Sequence, residues 1–323
     1  MSRFPAASQP ASSVVVPVYR NEENIPELLE RFAELNRRVP GGIEAVCVVD
    51  GSPDRSYELL ARALPSAPYP SRLLLLSRNF GSFSAIREGL KAARGRHFAV
   101  MSADLQEGPA LSEAFFEALR KDEADVVLGT RDSSSESGLD RFAARAFWFL
   151  YRTFIQREVP PGGIDVFGCN AAFRDELLRM SESHTSLVGQ VIWLGFRRKL
   201  VPYQRLPRRV GRSAWTLRRK VGYLLDSVYS FSELPIRLFI ALGMLGVVAS
   251  VTLGLVVLAA RLSGAIDVPG YSATVLTVLF FAGLNLLGLG VIGSYVWRAY
   301  ENTKARPLAL VMRDESFPSR DGA

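Results

Sequence analysis

Asp104 is an acidic side chain at the end of an apolar run, inside the segment Met101-Ser-Ala-Asp-Leu-Gln-Glu-Gly-Pro109. A carboxylate there is a hard oxygen ligand of the kind Mg²⁺ or Mn²⁺ prefers, and those ions leave coordination positions open for substrate phosphate oxygens. Two other polar clusters follow β-branched runs in the same way: Pro17-Val18-Tyr19-Arg20-Asn21 and Val49-Asp50-Gly51-Ser52. Open parallel sheets bind ligands beyond the carboxyl ends of their strands, so three strand ends with acids, amides and hydroxyls point to a phosphate-bearing ligand. Taken alone, Asp104 reads first as an ordinary loop start.

The elements that must position these residues are legible as a rhythm. Residues 13–18, 44–49, 72–77, 97–101 and 125–129 are short β-branched or apolar runs and read as strands. Between them lie helical stretches. Leu28, Leu29, Phe32 and Leu35 share one face after Asn24 and Pro26, and residues 57–64, 84–93 and 109–120 follow the same pattern. Alternation of this kind predicts an α/β layer fold with right-handed crossovers. Residues 141–155 and 215–231 mix aromatics with arginine, a pattern that suits either a core stripe or a helix at a membrane interface.

The carboxyl-terminal part belongs to another solvent. Residues 238–260 and 271–297 contain no charged side chain. At 1.5 Å per residue each reaches roughly 35–40 Å, enough to cross a hydrocarbon layer of ~30 Å. Basic residues crowd their outer flanks, at Arg218, Arg219, Lys220 and Arg237 on one side and Arg298, Lys304 and Arg306 on the other. The positive-inside rule then predicts a hairpin in the inner (cytoplasmic) membrane, with the large domain and both termini cytosolic. Gly246, Ser250, Gly283, Gly288, Gly290 and Gly293 allow close helix contact within the hairpin or between copies, and Asn285 is expected to seek a hydrogen bond between helices.

Composition narrows the partners. The chain has 323 residues, a formal net charge of +7 and 48% hydrophobic residues. Seven Arg or Lys and no acid lie between Arg205 and Lys220, directly before the apolar region, which favours lipid headgroups over nucleic acid. No zinc-finger spacing or RNA-binding aromatic motif is present. Cys47 and Cys169 are far apart among small or apolar neighbours and read as buried thiols. Residues 1–12, rich in Ser, Pro and Ala, read as a disordered lead-in without a signal-peptide core. The expected division is 13–212 catalytic, 213–235 amphipathic and juxtamembrane, 236–300 the hairpin, and 301–323 a cytosolic tail.

The three strand ends together with Arg78-Asn79-Phe80-Gly81, Gly129-Thr130-Arg131, Asp165, Trp193-x-Gly195-Phe196, Gly211-x-Ser213 and Arg306-Pro307 resemble the inverting family 2 glycosyltransferases. Within them the pattern is most similar to the polyisoprenyl-phosphate glycosyltransferases, the group of dolichyl-phosphate mannose synthases and undecaprenyl-phosphate glucosyltransferases. The resemblance implies a glycosyltransferase A-type (Rossmann-like) domain. It also implies transfer of a sugar from a nucleotide diphosphate sugar to a polyprenyl phosphate at the cytosolic membrane face. By the same resemblance Pro17, Tyr19, Asn21 and Asp50 line the nucleoside pocket, Ser102 and Ala103 approach ribose or phosphate, and Asp104 with Gln106 holds Mg²⁺ or Mn²⁺. Arg131, Arg208 and Ser213 match phosphate-binding positions, and Asp165 matches the acid placed near the acceptor and anomeric carbon.

The departures are specific. Val49 stands where the family commonly has the first of two acids, Ser102 where it has the first acid of Asp-x-Asp, Asn21 where it has Glu, and Ala214 where a basic residue often follows the serine. They keep open a membrane-anchored pseudoenzyme that binds nucleotide sugar. A polysaccharide synthase is a poorer match, because the chain has no Gln-x-x-Arg-Trp motif and too few apolar spans.

Overall fold

The computed structural model describes residues 10–131, 149, 151–153, 156–160, 163–183, 185–206, 217–232, 234–263 and 270–320. The strands are β1 Ser12–Val18, β2 Ile43–Val49, β3 Ser71–Leu76, β4 His97–Val100, β5 Val126–Arg131, β6 Val166–Asn170, β7 Arg198–Tyr203 and β8 Val311–Phe317. The helices are α1 Ile25–Arg38, α2 Ser56–Ala63, α3 Ser82–Ala92, α4 Pro109–Arg120, α5 Ala171–Arg179, α6 Leu187–Trp193, α7 Leu217–Phe231, α8 Leu234–Leu262 and α9 Tyr271–Thr303. All eight strands form one sheet in the order β7-β5-β6-β4-β1-β2-β3-β8. The expected alternation is therefore present, and helix α4 has the bounds predicted for it.

Strand β1 shows how the layers are built. Val14, Val16 and Val18 face one core with Leu28, Phe32 and Leu35 of α1 and Phe115 and Phe116 of α4. Val15 faces the other, with Ile86 and Leu90 of α3 and Phe173 and Leu177 of α5. A strand buried on both faces reads as a continuous valine run, which is why periodicity alone marks it so clearly. The two cysteines fall in opposite cores and are fully buried, and burial pushes the Cys47 thiol up to about 12. Tyr151, within the aromatic stripe at 141–155, is fully buried, whereas Phe149 is exposed. The rest of that stripe, apart from residues 152–153, lies outside the described residues.

Two strands run against the others. Strand β6 is antiparallel to both β4 and β5, so its amino end lies at the carboxyl ends of its neighbours. Strand β8 is antiparallel to β3 and closes the sheet at that edge. Residues 311–317 were expected within a tail. They instead return to the sheet, held by a bidentate Arg72–Asp314 pair and by the Tyr57 hydroxyl donating to Glu315. At the opposite end of the sheet from the candidate site, Asp125 joins three strands, accepting from Arg197 Nε at 3.0 Å and from Asn170 Nδ2 at 2.9 Å.

Arg197 holds the Asp125 carboxyl below its ordinary value of 3.8. A depressed folded-state value contributes stability that is present above pH 3.8 and lost as pH falls through the lower folded value. Asp125→Asn should therefore lower Tm at pH 7. The gap to wild type should close in thermal melts repeated at successively lower pH.

Helices α8 and α9 contain 29 and 33 residues. Their apolar side chains point outward, Leu245 at 65% and Leu286 at 70% exposure, and both helices are long and apolar enough to cross a membrane. Phe281 packs over Gly246 and Phe239 over Gly288, so these glycines serve contact within the helix pair.

Candidate functional site

Each of the three strand ends exits through a left-handed residue: Arg20 (φ 54°) after β1, Gly51 (φ 56°) after β2 and Leu105 (φ 56°) beyond β4. For a non-glycine residue this conformation costs of order 1–3 kcal/mol and persists only where surroundings hold it. At Gly51 the space is also closed, since a Cβ would lie 2.2 Å from the Arg78 carbonyl carbon.

The first two ends are stitched together. The Arg20 amide donates to Ser52 Oγ at 2.8 Å, the Glu22 amide to Asp54 Oδ2 at 3.0 Å, and the Arg55 amide to Glu22 Oε2 at 2.9 Å. Asp54 also takes Ser52 and Ser56 hydroxyls, and these bonds hold its carboxyl below the ordinary range against the opposing effect of burial. Tyr19 and Pro17 are half-buried at this rim. Asn21 donates from Nδ2 to the Tyr19 carbonyl at 2.9 Å and accepts from Asn24 at 3.0 Å, so its amide shapes the turn.

Asp50 is 2% exposed. Its two carboxylate oxygens accept the amides of Phe80 at 2.7 Å and Gly81 at 2.8 Å. Expected in the nucleoside pocket, it holds the 78–81 loop and the start of α3 against the end of β2.

Beyond β4, Ala103 is buried and Ser102 and Asp104 are half-buried. Ser102 Oγ donates to Glu107 Oε1 at 2.5 Å, and the Ser102 amide lies 3.3 Å from Glu107 Oε2. Glu107 is 5% exposed. Burial raises its carboxyl above the ordinary value, Ser102 opposes this, and the nearby charges of Asp104 and Asp165 raise it further. Glu107 is not among the residues that the strand ends or the resemblance mark; its signal in the sequence is an extra acid in a segment whose first expected acid is a serine.

Gln106 is held by the chain leaving β7. Its Oε1 accepts from the Arg205 guanidinium, its Nε2 donates to the Leu206 carbonyl at 3.1 Å, and its own carbonyl accepts the Leu206 amide at 2.8 Å. A cation at Oε1 would share that oxygen with the Arg205 guanidinium. What Gln106 does here is pin the chain leaving β7, which leads toward Arg208 and Ser213. Those two lie outside the described residues.

The antiparallel strand completes the arrangement. Asp165 immediately precedes β6, is exposed, and accepts the Tyr203 hydroxyl at 2.6 Å. Tyr203 ends β7 in register with Arg131 at the end of β5. Asp50, Asp104, Glu107, Asp165, Tyr203 and the backbone of Arg131 thus gather at one end of one sheet. Such a site offers hard oxygen donors and hydroxyls, suited to a hydroxyl- and phosphate-bearing ligand.

Residues 13–180 match the family model for glycosyl transferase family 2. The chain is 31% identical over 300 residues to the uncharacterized glycosyltransferase sll0501 of Synechocystis sp. (strain ATCC 27184 / PCC 6803 / Kazusa), covering 93% of this chain and 94% of that relative. It is 29% identical over 320 residues to the undecaprenyl-phosphate 4-deoxy-4-formamido-L-arabinose transferase of Salmonella choleraesuis (strain SC-B67), covering 96% and 95%. Among solved structures, the mannosyltransferase PcManGT from Pyrobaculum calidifontis superposes with a TM-score of 0.48 at 16% identity, covering 93% and 88%. The sheet with helices on both faces is a glycosyltransferase A-type fold. The chain belongs to glycosyltransferase family 2, and it is a glycosyltransferase.

Proposed function

We propose that this chain transfers a sugar from a nucleotide diphosphate sugar to a polyprenyl phosphate at the cytosolic face of the inner membrane, with inversion at the anomeric carbon. The observation that carries this reading is the likeness to the undecaprenyl-phosphate transferase along 96% of the chain, the two apolar helices included.

The nucleoside lies over Pro17, Tyr19 and Asn21, beside the loop that Asp50 holds, with ribose or phosphate at Ser102 and Ala103. Among the described residues no three His, Cys, Asp or Glu side chains come together to hold a metal ion. The donor set fits an ion that takes one protein carboxylate, Asp104, and completes its shell with diphosphate oxygens and water, the usual manner of Mg²⁺ and a fitting one for Mn²⁺. Bound there, the ion supplies charge neutralisation for the departing diphosphate. Arg131, Arg208 and Ser213 bind phosphate groups.

A polyprenyl phosphate is already anionic at pH 7, so attack on the anomeric carbon needs alignment more than proton removal. Asp165, oriented by the Tyr203 hydroxyl, supplies that alignment. A phosphate oxygen bonds to the anomeric carbon from the face opposite the breaking bond to the diphosphate, which inverts the centre.

The chain on both sides of the helix pair is tied to the sheet domain: before α8 the Phe231 ring lies against Gly189 of α6, and after α9 residues 311–317 join the sheet. Ser183 donates to Asn302 Oδ1 at 3.0 Å, Arg298 pairs with Asp226 at 2.8 Å, and β8 follows α9 directly. This favours both ends on one side of the bilayer, and the basic flanks favour the cytosolic side. The segments 213–235 and 236–300 are then the juxtamembrane and membrane-spanning parts.

Membranes containing the protein, incubated with labelled nucleotide sugars and undecaprenyl phosphate, should give a labelled product extractable into organic solvent. EDTA should abolish it, and excess Mg²⁺ or Mn²⁺ should restore it. A nucleotide-sugar-binding pseudoenzyme would give none with any donor.

A further inference from the structure

Ser102 occupies the place where the resemblance leads one to expect the first acid of the diphosphate site, yet a carboxylate is within 2.5 Å of its hydroxyl. That carboxylate, Glu107, is almost wholly buried, and it takes both the hydroxyl and the amide of Ser102. A serine hydroxyl has one proton and two lone-pair positions. Once the proton is given to Glu107, the oxygen presents only acceptor character to the open strand end, as a carboxylate oxygen does. The bond also fixes the rotor, so the lone pairs have a set direction.

Burying a carboxylate beside other acids is unfavourable unless a cation or strong donors offset it. The charged groups acting on Glu107 include Asp104 and Asp165, both acidic. A loop cap alone would be served as well by a neutral amide.

We infer that Glu107 is a positioning residue that replaces the missing acid, acting through Ser102 on the ion and diphosphate held at Asp104. The inference rests on the reading of Asp104 as the diphosphate anchor. The hydrogen bond polarises the Ser102 O–H, so the serine oxygen becomes a stronger acceptor toward the ligand, most simply for a water in the ion's shell. Partners of this kind, one bond removed from the metal, orient and tune the coordinating groups.

The test is a relocation of charge in the full-length protein in detergent. Mn²⁺ affinity is read by the electron paramagnetic resonance signal of the free ion, in the presence of UDP, GDP, ADP, CDP or TDP in turn. Glu107→Gln should weaken Mn²⁺ binding roughly 10–100-fold, the usual cost of losing such a partner. Ser102→Asp alone should also bind poorly, because two carboxylates at hydrogen-bond distance resist joint ionisation. Ser102→Asp combined with Glu107→Gln should return to within about threefold of wild type, a small fraction of the loss from either single change.

Recovery in the double variant is what a merely structural glutamate would not produce. Wild-type affinity in Glu107→Gln, or a folded double variant as weak as Glu107→Gln, overturns the inference and leaves the proposed function standing. A wild type that binds Mn²⁺ with none of the five nucleotides sinks both. If Glu107→Gln does not fold, as judged by its melting curve, Ser102→Ala takes its place: it removes the same bond and should show the same loss, and undiminished Mn²⁺ binding there overturns the inference.

Discussion

Asp104→Ala and Asp104→Asn should each reduce formation of lipid-linked sugar by about 10²–10³-fold, the range seen when one group stabilising transition-state charge is removed. The reason is differential: charge on the departing diphosphate grows as the glycosidic bond breaks, so whatever holds the neutralising ion matters more in the transition state than in the ground state. Asparagine keeps the shape and one oxygen but not the negative charge, so the two variants should fall together. Both should keep the wild-type melting temperature to within a few degrees, because Asp104 is half-buried at a loop outside the two cores. Single-turnover product formation and a melting curve on the same preparation check the two halves of this expectation. Retained turnover in Asp104→Asn would remove Asp104 from the diphosphate site.

The opposite balance is expected at Asp50. Asp50→Ala leaves the amides of Phe80 and Gly81 without their carboxylate partners, and charged hydrogen bonds of this kind are each worth about 1.5–3 kcal/mol. A total near 3 kcal/mol corresponds to a fall in Tm of roughly 6–12 °C for a domain of this size. The loop at 78–81 begins α3 and borders the nucleoside rim, so donor KM should rise with little change in kcat. Asp50→Asn, which retains one acceptor oxygen, should fall between wild type and Asp50→Ala in both Tm and donor KM. Thermal melts and steady-state kinetics separate the two effects, and a drop in kcat alone would contradict the assignment of Asp50 to loop support.

These two residues show what was legible in the sequence and what was not. Asp50 and Asp104 are both marked by their positions at strand ends, since an apolar run before a polar cluster is a local signal. What Asp50 does was not legible, because its partners at Phe80 and Gly81 lie some thirty residues away and only the folded sheet brings them close. The partners of Gln106 were not legible for the same reason: the motif marks it as a ligand, and only the fold brings the chain leaving β7 onto its side-chain amide and its carbonyl.

Strand β8 was missed on different grounds. Val-Met-Arg-Asp-Glu-Ser-Phe has three charged residues in its middle and is mostly exposed, and its affinity for β3 comes from an antiparallel ladder and from Arg72, neither of which has any local signature. Asp165 was found through family resemblance. Its Tyr203 partner was not, because β6 and β7 lie after the irregular stretch where the alternating rhythm breaks.

The most direct test uses purified protein with a labelled nucleotide sugar and three acceptors compared side by side: undecaprenyl phosphate, undecaprenol and water alone. Transfer to undecaprenyl phosphate only, giving a product in the organic phase that mild acid cleaves to free sugar, is the expected result. Label in the organic phase with undecaprenol, or no lipid product with any donor, would contradict the account.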